Sequence, residues 1–498
     1  MSRIRFQEVT AAPSTGAHIC FRGGTNSLRA ALMLLLLVAA TAATSPAQTF
    51  KTIYNFCSVT NAAGYCTDGQ NPSSTLVQGV NGSLYGTTTN GGTNGYGMVF
   101  EVTTAGKLTT LYNFCSQPSC ADGFGPQGGL LLATNGSFYG VTNEGGAGYG
   151  TVFKITAAGK LTTVHTFNNT DGESPATGLI QATDGNFYGT TNSGGAYGYG
   201  SAFEISASGT LTTLHSFNGD DGANPNGLIQ AADGNFYGTA YDGGGSGCSP
   251  YSGGGTGFQL TSSGTLTPLV PIFCEPNGFY PNSALVQAAN GNFYGTTAAG
   301  GDGSNTGYGT FYEMTTTGSL TWLHSFCLQT GCPDGSDPQA LTLGTDGNFY
   351  GTTQGNPGSG LGTVFEITSA GQLTTLHTFT GTDGGNPNGG LLLDTSGTFY
   401  GITFAGGAHG LGTIFSLTPG AFVATIPTSG AAGTKVTILG TGVKGATAVS
   451  FNGTAATFKV VSGSEITTTV PTGATSGTVM VTIPGGTTLN SKVAFQIP

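Results

Sequence analysis

From residue 50 onward, short stretches in which apolar and polar residues alternate are separated by Gly-centred turns. Alternation at period two predicts half-buried strands, and the enrichment of these stretches in Thr, Phe and Tyr supports that assignment. In the stretch 179–217 the pattern predicts four strands, at 179–183, 186–191, 201–206 and 210–217. The first two are joined by Asp184-Gly185 and the last two by Ser208-Gly209. Two-residue turns of the Asn-Gly and Asp-Gly type are strong hairpin signals, because both central residues need φ > 0. The unit therefore reads as a four-stranded antiparallel sheet.

That unit recurs. A Tyr-Gly landmark places tyrosine at positions 85, 139, 188, 237, 294, 350 and 400. Four-stranded units repeated at about this period are the sequence signature of propeller blades. The last copy stops after its third strand, at 414–418, and lacks a fourth. The stretch 50–56 matches the fourth strands at 107–114 and 210–217 and precedes the first full copy. Pairing it with the last copy closes a ring, whereas a linear solenoid would gain nothing from such a split. The expected fold is all-β: a seven-bladed β-propeller of four-stranded blades closed by an N-terminal strand. Aromatic residues repeated on the third strands (Phe100 to Phe415) and at the ends of the fourth (Phe56 to Phe379) supply the core.

The stretch 185–217, with Gly-x-Phe-Tyr-Gly-Thr-Thr, a Gly-Gly loop and Leu-Thr-Thr-Leu-His-x-Phe, resembles the GloVer-type tandem repeat of exported bacterial proteins. The resemblance covers roughly 50–418 and implies export, often with a C-terminal anchoring module, but no established activity. After Pro419 the landmarks end, and Val, Thr and Gly alternate. Gly433-Thr434-Lys435-Val436-Thr437-Ile438 and Val449-Ser450-Phe451 resemble an IPT/TIG domain, an Ig-like β-sandwich. Such a module implies a spacer or interaction role. The expected organisation is a signal peptide at 1–47, the propeller at 48–419 and the Ig-like domain at 420–498.

Arg22 and Arg29 precede the apolar run 30–40, and Ser45-Pro46-Ala47 offers a cleavage site, which defines the signal peptide. An uncleaved anchor is the alternative, and no later stretch is long and apolar enough to span a bilayer. Without residues 1–47 the chain carries 8 Lys/Arg against 22 Asp/Glu, a net charge of −14. That balance excludes nucleic acid, which needs clustered Lys/Arg. Eight cysteines remain, grouped as Cys57/Cys66, Cys115/Cys120, Cys327/Cys332 and, more loosely, Cys248/Cys274. The three close pairs fall where the loop after the fourth strand is long, so disulfides that staple those loops are expected, as in an exported protein.

Candidate chemistry is sparse. His165, His215, His324 and His377 occupy one repeat position on the outermost strand, where Tyr54 and Tyr112 stand in other copies, and read as structural. His409 stands alone. Asp/Asn-Gly-x-x-Pro occurs in every copy, beginning at Asp68, Asp122, Asp171, Asp221, Asn277, Asp334 and Asp383. Calcium needs six to eight oxygens at one place, so an Asx-type turn is the preferred reading and calcium the alternative; no cofactor is expected. The Gly-Gly loops lack the strand-to-helix context of a phosphate cradle. Loops between second and third strands share one face with the blade connections and carry Tyr96, Tyr149, Tyr197, Tyr199, Tyr251 and Tyr308. Tyrosine beside short polar groups suits a glycan or protein ligand. The expected function is a monomeric, non-enzymatic binding or surface-interaction protein, secreted, periplasmic or on the cell surface, with that face as ligand site. The alternatives are a propeller lyase or hydrolase acting on polysaccharide, and a structural envelope component.

Overall fold

The computed structural model describes residues 48–245, 253–271, 273–301, 307–355, 360–419, 423–440, 442–491 and 494–498. The expected signal peptide lies outside them. The chain is built of antiparallel sheets, one per repeat, and each repeat is called here by its landmark tyrosine. In the Tyr188 repeat the strands Ile180–Gln181, Phe187–Thr191, Ser201–Ile205 and Leu211–Ser216 pair in chain order. The landmark has a local cause: Tyr188 donates to Asp184 Oδ2 at 2.7 Å, so the hydroxyl of the second strand fastens the turn that precedes it. Tyr237 and Tyr350 do the same with Asp233 and Asp346, each at 2.8 Å.

The first strand is shorter than its sequence suggested, or split. In the Tyr85 repeat Gln70–Pro72 and Val77–Gln78 pair separately with Leu84–Asn90. The residue before the proline, Asn71, has φ +53°, and proline itself has no N–H to give to a ladder. The fourth strand carries one extra residue. Phe203 faces Thr213 while Ala202 faces His215, so Leu214 is bulged, and the same register shift recurs in the other repeats. The bulge lets Leu214 pack on the core while His215 lies at the rim.

Each hydrophobic core is shared by consecutive sheets. Tyr139, Val141 and Phe167 pack with Leu179, Phe187 and Phe203 of the next repeat. Landmark tyrosines stack on the following repeat's second-strand aromatic: Tyr139 on Phe187 at 4.1 Å, Tyr188 on Phe236 at 4.2 Å, Tyr350 on Phe399 at 4.2 Å. Phenylalanines ending the fourth strands meet third-strand rings edge-on, as Phe167 meets Phe203 at 5.3 Å. Burying each such ring is worth about 1.5–3 kcal/mol. The landmark glycine makes this packing fit, because a Cβ at Gly189 would fall 2.8 Å from Phe203 Cζ and 2.7 Å from Leu179 Cδ2.

The first described strand pairs with the last repeat. Thr49–Asn55 runs antiparallel to Thr413–Thr418, and its Phe50 stacks on His377 of the preceding repeat at 3.6 Å. Phe56 and Tyr400 share a core with Leu84, Met98 and Phe100 of the first repeat. Here Leu84 stands where the other second strands carry Phe.

Beyond the repeats, two further four-stranded sheets enclose one core. Val423–Ile426, Lys435–Gly440, Glu465–Thr469 and Phe458–Val460 form one sheet; Thr454–Ala456, Ala448–Phe451, Val479–Thr482 and Thr488–Asn490 form the other. Val436, Ile438, Phe451, Ile466, Val481 and Phe495 fill the space between them.

Candidate ligand face and the rim

The outermost strand ends in a half-buried knot. The bulge directs His165, His215, His324 and His377 onto the Asp of the following Asp-Gly-x-x-Pro, with Nε2 2.8–3.1 Å from Oδ2. Tyr54 and Tyr112 donate to Asp68 and Asp122 at 2.7 and 2.8 Å in the same manner. The other carboxylate oxygen takes backbone N–H groups from the intervening loop, such as Asn168 and Asn218. The motif is therefore more than a local turn: its carboxylate ties the rim strand to the start of the next sheet. One repeat lacks both partners, with Pro271 and Asn277 at the two positions. Burial holds the His377 imidazole below its ordinary pKa, against the pull of Asp383. Burial alone would raise Asp383, but hydrogen bonds from Thr380 and the His377 ring hold its carboxyl low. Burial, aided by Asp68, pushes the Tyr54 hydroxyl up to about 12.

Three of the expected disulfides are present: Cys57–Cys66, Cys115–Cys120 and Cys327–Cys332. Cys274 is also disulfide-bonded, and Cys248 lies outside the described residues. Among the described residues no cluster of three or more His, Cys, Asp or Glu is gathered as a metal site would require, and no helix is long and apolar enough to cross a membrane.

The predicted tyrosines fall into two groups. The carbonyls of Tyr96, Tyr149, Tyr199 and Tyr308 each accept the N–H of the residue before the next repeat's motif proline: Gly125, Ser174, Asn224 and Asp337, at 2.8–3.0 Å. That donor residue has φ of +53° to +61° in these four cases, a left-handed conformation that aims its N–H back at the neighbouring loop. Backbone, rather than side chain, explains why this position recurs. The Tyr96 ring meets Phe124 edge-on at 5.3 Å, Tyr149 packs on the Phe167–Phe203 core, and Tyr199 covers Gly219. Tyr197 is the most exposed, at 63%, and Tyr96, Tyr199 and Tyr308 are 45–47% exposed. Tyr251 lies outside the described residues.

The largest break in repetition is elsewhere on this face. At the left-handed position before the motif proline, where Asn71, Asn224 and Asn386 stand, two consecutive repeats carry Tyr280 and Asp337. Tyr280 stacks on Tyr241 at 5.0 Å with planes 16° apart. Asp242 and Asp337 lie close enough to the Tyr241 hydroxyl to raise its pKa, after burial, the larger cause. Burial pushes the Asp337 carboxyl up to about 6, and Asn282 Nδ2 donates to its Oδ1 at 3.1 Å. Burial also raises Asp242. Asn282 continues into a cavity of about 300 Å³ lined by Thr177, Asn226, Asn282 and Ser283, from the segments that lead into the first strands of three repeats. Comparing the residues before each motif proline in the sequence would have singled out Tyr280 and Asp337 together.

These features define a class: a tandem-repeat, all-β protein of propeller-like sheets with a shared loop face. The chain belongs to the Gloeobacter/Verrucomicrobia repeat family, whose model matches residues 41–251, 148–332 and 247–457. No curated protein matches it. Solved structures resemble it only distantly. The extracellular domain of the hybrid two-component system BT3049 from B. thetaiotaomicron is 13% identical with a TM-score of 0.47, over 91% of this chain and 58% of that one. PorZ, a surface component of the type-IX secretion system of Porphyromonas gingivalis, is 15% identical with a TM-score of 0.44, over 86% and 59%. The gluconolactonase XC5397 from Xanthomonas campestris is 14% identical with a TM-score of 0.39, over 76% and 92%. This chain thus spans under two thirds of the length of the first two, and the family match alone carries the assignment.

Proposed function

We propose that this is an exported binding protein: a seven-bladed β-propeller closed by its first strand, followed by an IPT/TIG-type Ig-like domain that serves as a spacer. Ring closure is supported by the Thr49–Asn55 pairing and by the core that Phe56 and Tyr400 share with the first repeat. The facing sheets around Phe451 and Phe495 support the Ig-like reading. Disulfides in the rim loops favour an oxidising compartment outside the cytoplasm: the periplasm, the cell surface or the medium. The ligand is a glycan or protein held on the loop face.

One observation carries the binding reading: aromatic and acidic side chains depart from the repeat on that face, while the rim His–Asp pairs are spent on structure. Glycan-array binding by the purified mature chain tests it. Tyr197→Ala with Tyr308→Ala is the informative double variant, since both rings are exposed. Tyr149→Ala is not, because its ring packs on the core. Binding that survives the double variant unchanged excludes Tyr197 and Tyr308 from the ligand contact. A second reading, polysaccharide cleavage, draws on Asp337, whose carboxyl near 6 suits a proton donor. Release of new reducing ends or unsaturated products from a polysaccharide panel would favour it over binding alone.

A further inference from the structure

Within the proposed binding face, we infer that Tyr241, Tyr280, Asp337 and the adjoining cavity form a site for the terminal unit of a neutral glycan; this rests on the glycan form of the reading above. The argument starts from repetition. Elsewhere the position of Tyr241 is filled by Thr89, Asn143, Asn192, Ala298, Gln354 or Phe404, so the fold does not require a tyrosine there. Nor does it require Tyr280 or Asp337, since Asn, Gly and Ser serve at their positions. Three departures from the repeat are gathered around one stacked ring pair.

Their chemistry converges on a sugar ring. The stacked pair offers a flat apolar surface to the C–H face of a pyranose, as aromatic side chains do at polar ligand sites. Asn282 positions Asp337 through Oδ1, and the second carboxylate oxygen would accept from a ligand's hydroxyl groups. Thr177, Asn226 and Ser283 add short polar groups in the cavity. A cavity of about 300 Å³ accommodates one or two sugar rings, which matches the terminal unit of a glycan. Residues 48–419 hold 4 Lys/Arg against 21 Asp/Glu. With Asp242 and Asp337 at the site, that charge disfavours uronate and sulfated chains.

Titration calorimetry on the full mature chain tests this with neutral tetrasaccharides of glucose, galactose and N-acetylglucosamine, and with tetragalacturonate. The expected result is binding of a neutral tetrasaccharide, full competition by its own monosaccharide, and none by tetragalacturonate. The variant Tyr241→Ala, Tyr280→Asn, Asp337→Asn borrows residues that sister repeats already carry at these positions. It should keep the wild-type melting curve and lose affinity by about tenfold or more, a loss of about 1.4 kcal/mol. Unchanged affinity in that variant, failure of the monosaccharide to compete, or equal binding of tetragalacturonate would overturn the inference. If the binding is instead abolished by Tyr197→Ala with Tyr308→Ala, the face assignment stands and only this site falls. If no glycan binds the wild type, the glycan form of the reading falls with it.

Discussion

Tyr312 offers the sharpest test of how the repeat core is packed. It is the third-strand ring of the Tyr294 repeat, where the other repeats carry phenylalanine. The ring makes the same edge contact as its counterparts, meeting Phe273 at 5.2 Å, but its hydroxyl is fully buried and has no hydrogen-bond partner. A Cβ at Gly295 would fall 2.4 Å from that oxygen, so even the landmark glycine leaves it no room. Burial raises the hydroxyl's pKa and keeps it neutral. An unpaired buried hydroxyl costs about 1–3 kcal/mol. Removing it leaves a void of roughly 10–15 Å³, which returns about 0.3 kcal/mol of that. Tyr312→Phe should therefore stabilise the protein by about 1–2 kcal/mol. If roughly 370 residues unfold together, with an unfolding entropy of about 0.8 kcal/mol/K, the midpoint rises by only ~1–3 °C. Scanning calorimetry on Tyr312→Phe beside the converse Phe365→Tyr provides the contrast, the second falling as the first rises. A Tyr312→Phe midpoint at or below wild type would mean that the hydroxyl has a partner, such as an internal water, and would refute the reasoning.

Gly189→Ala should destabilise by about 1–3 kcal/mol through overlap with Phe203 and Leu179, read from the guanidinium midpoint, and Phe203→Leu in the same chain should recover part of the loss. His377 titrates below its ordinary value in the folded state, so the unfolded chain binds the extra proton first. Stability is then greatest at neutral pH and declines as pH falls from about 6.5 toward the depressed folded value. Depression of Asp383 extends the loss below its usual pKa of 3.8. His377→Tyr, which installs the residue that Tyr54 and Tyr112 supply at this position, should flatten the first part of that decline in a pH series of thermal melts. Replacing Cys57 and Cys66 with serine should lower stability by roughly 2–3 kcal/mol, measured in guanidinium. A smaller effect would show that Asp68, which already gathers Tyr54 and Ser58, orders the loop alone.

The second strand was legible because Asp184-Gly185 marks the turn before it and the alternation of 186–191 sets its faces, which agree with its register against the third strand. The first strand was less so: its pairing breaks at 73–76, just after Asn71, whose left-handed backbone turns its N–H to Leu411 of the last repeat. No local pattern carries that contact. The histidines were read as structural, and their partner was missed: His165 and Asp171 are separated by the loop that leaves the rim strand, and the bulge at Val164 brings them together. A signal existed, because the one repeat without His or Tyr, at Pro271, is also the one without Asp, at Asn277. Of the expected ligand tyrosines, Tyr149 packs on a core while Tyr96, Tyr197, Tyr199 and Tyr308 stay exposed, a difference that spacing does not encode. The cluster around Tyr280 and Asp337 was hidden for the opposite reason. Repeats draw the eye to what recurs, and a ligand site is made of what does not.

The pairing of Thr49–Asn55 with Thr413–Thr418 bears on how the chain is made. The strand that leaves a ribosome or a translocation pore first is the one whose partner arrives last. Until then Phe50 and Phe56 lack their native neighbours at Phe415 and Tyr400, and the last repeat has an open edge. Repeats can stack as they emerge, but the seam joins only after the final one, so completion is a late, single event. The same seam restrains gene rearrangement. Duplicating or deleting one unit leaves the two ends still complementary but forces every inter-sheet angle to change, so the number of repeats is selected as a whole.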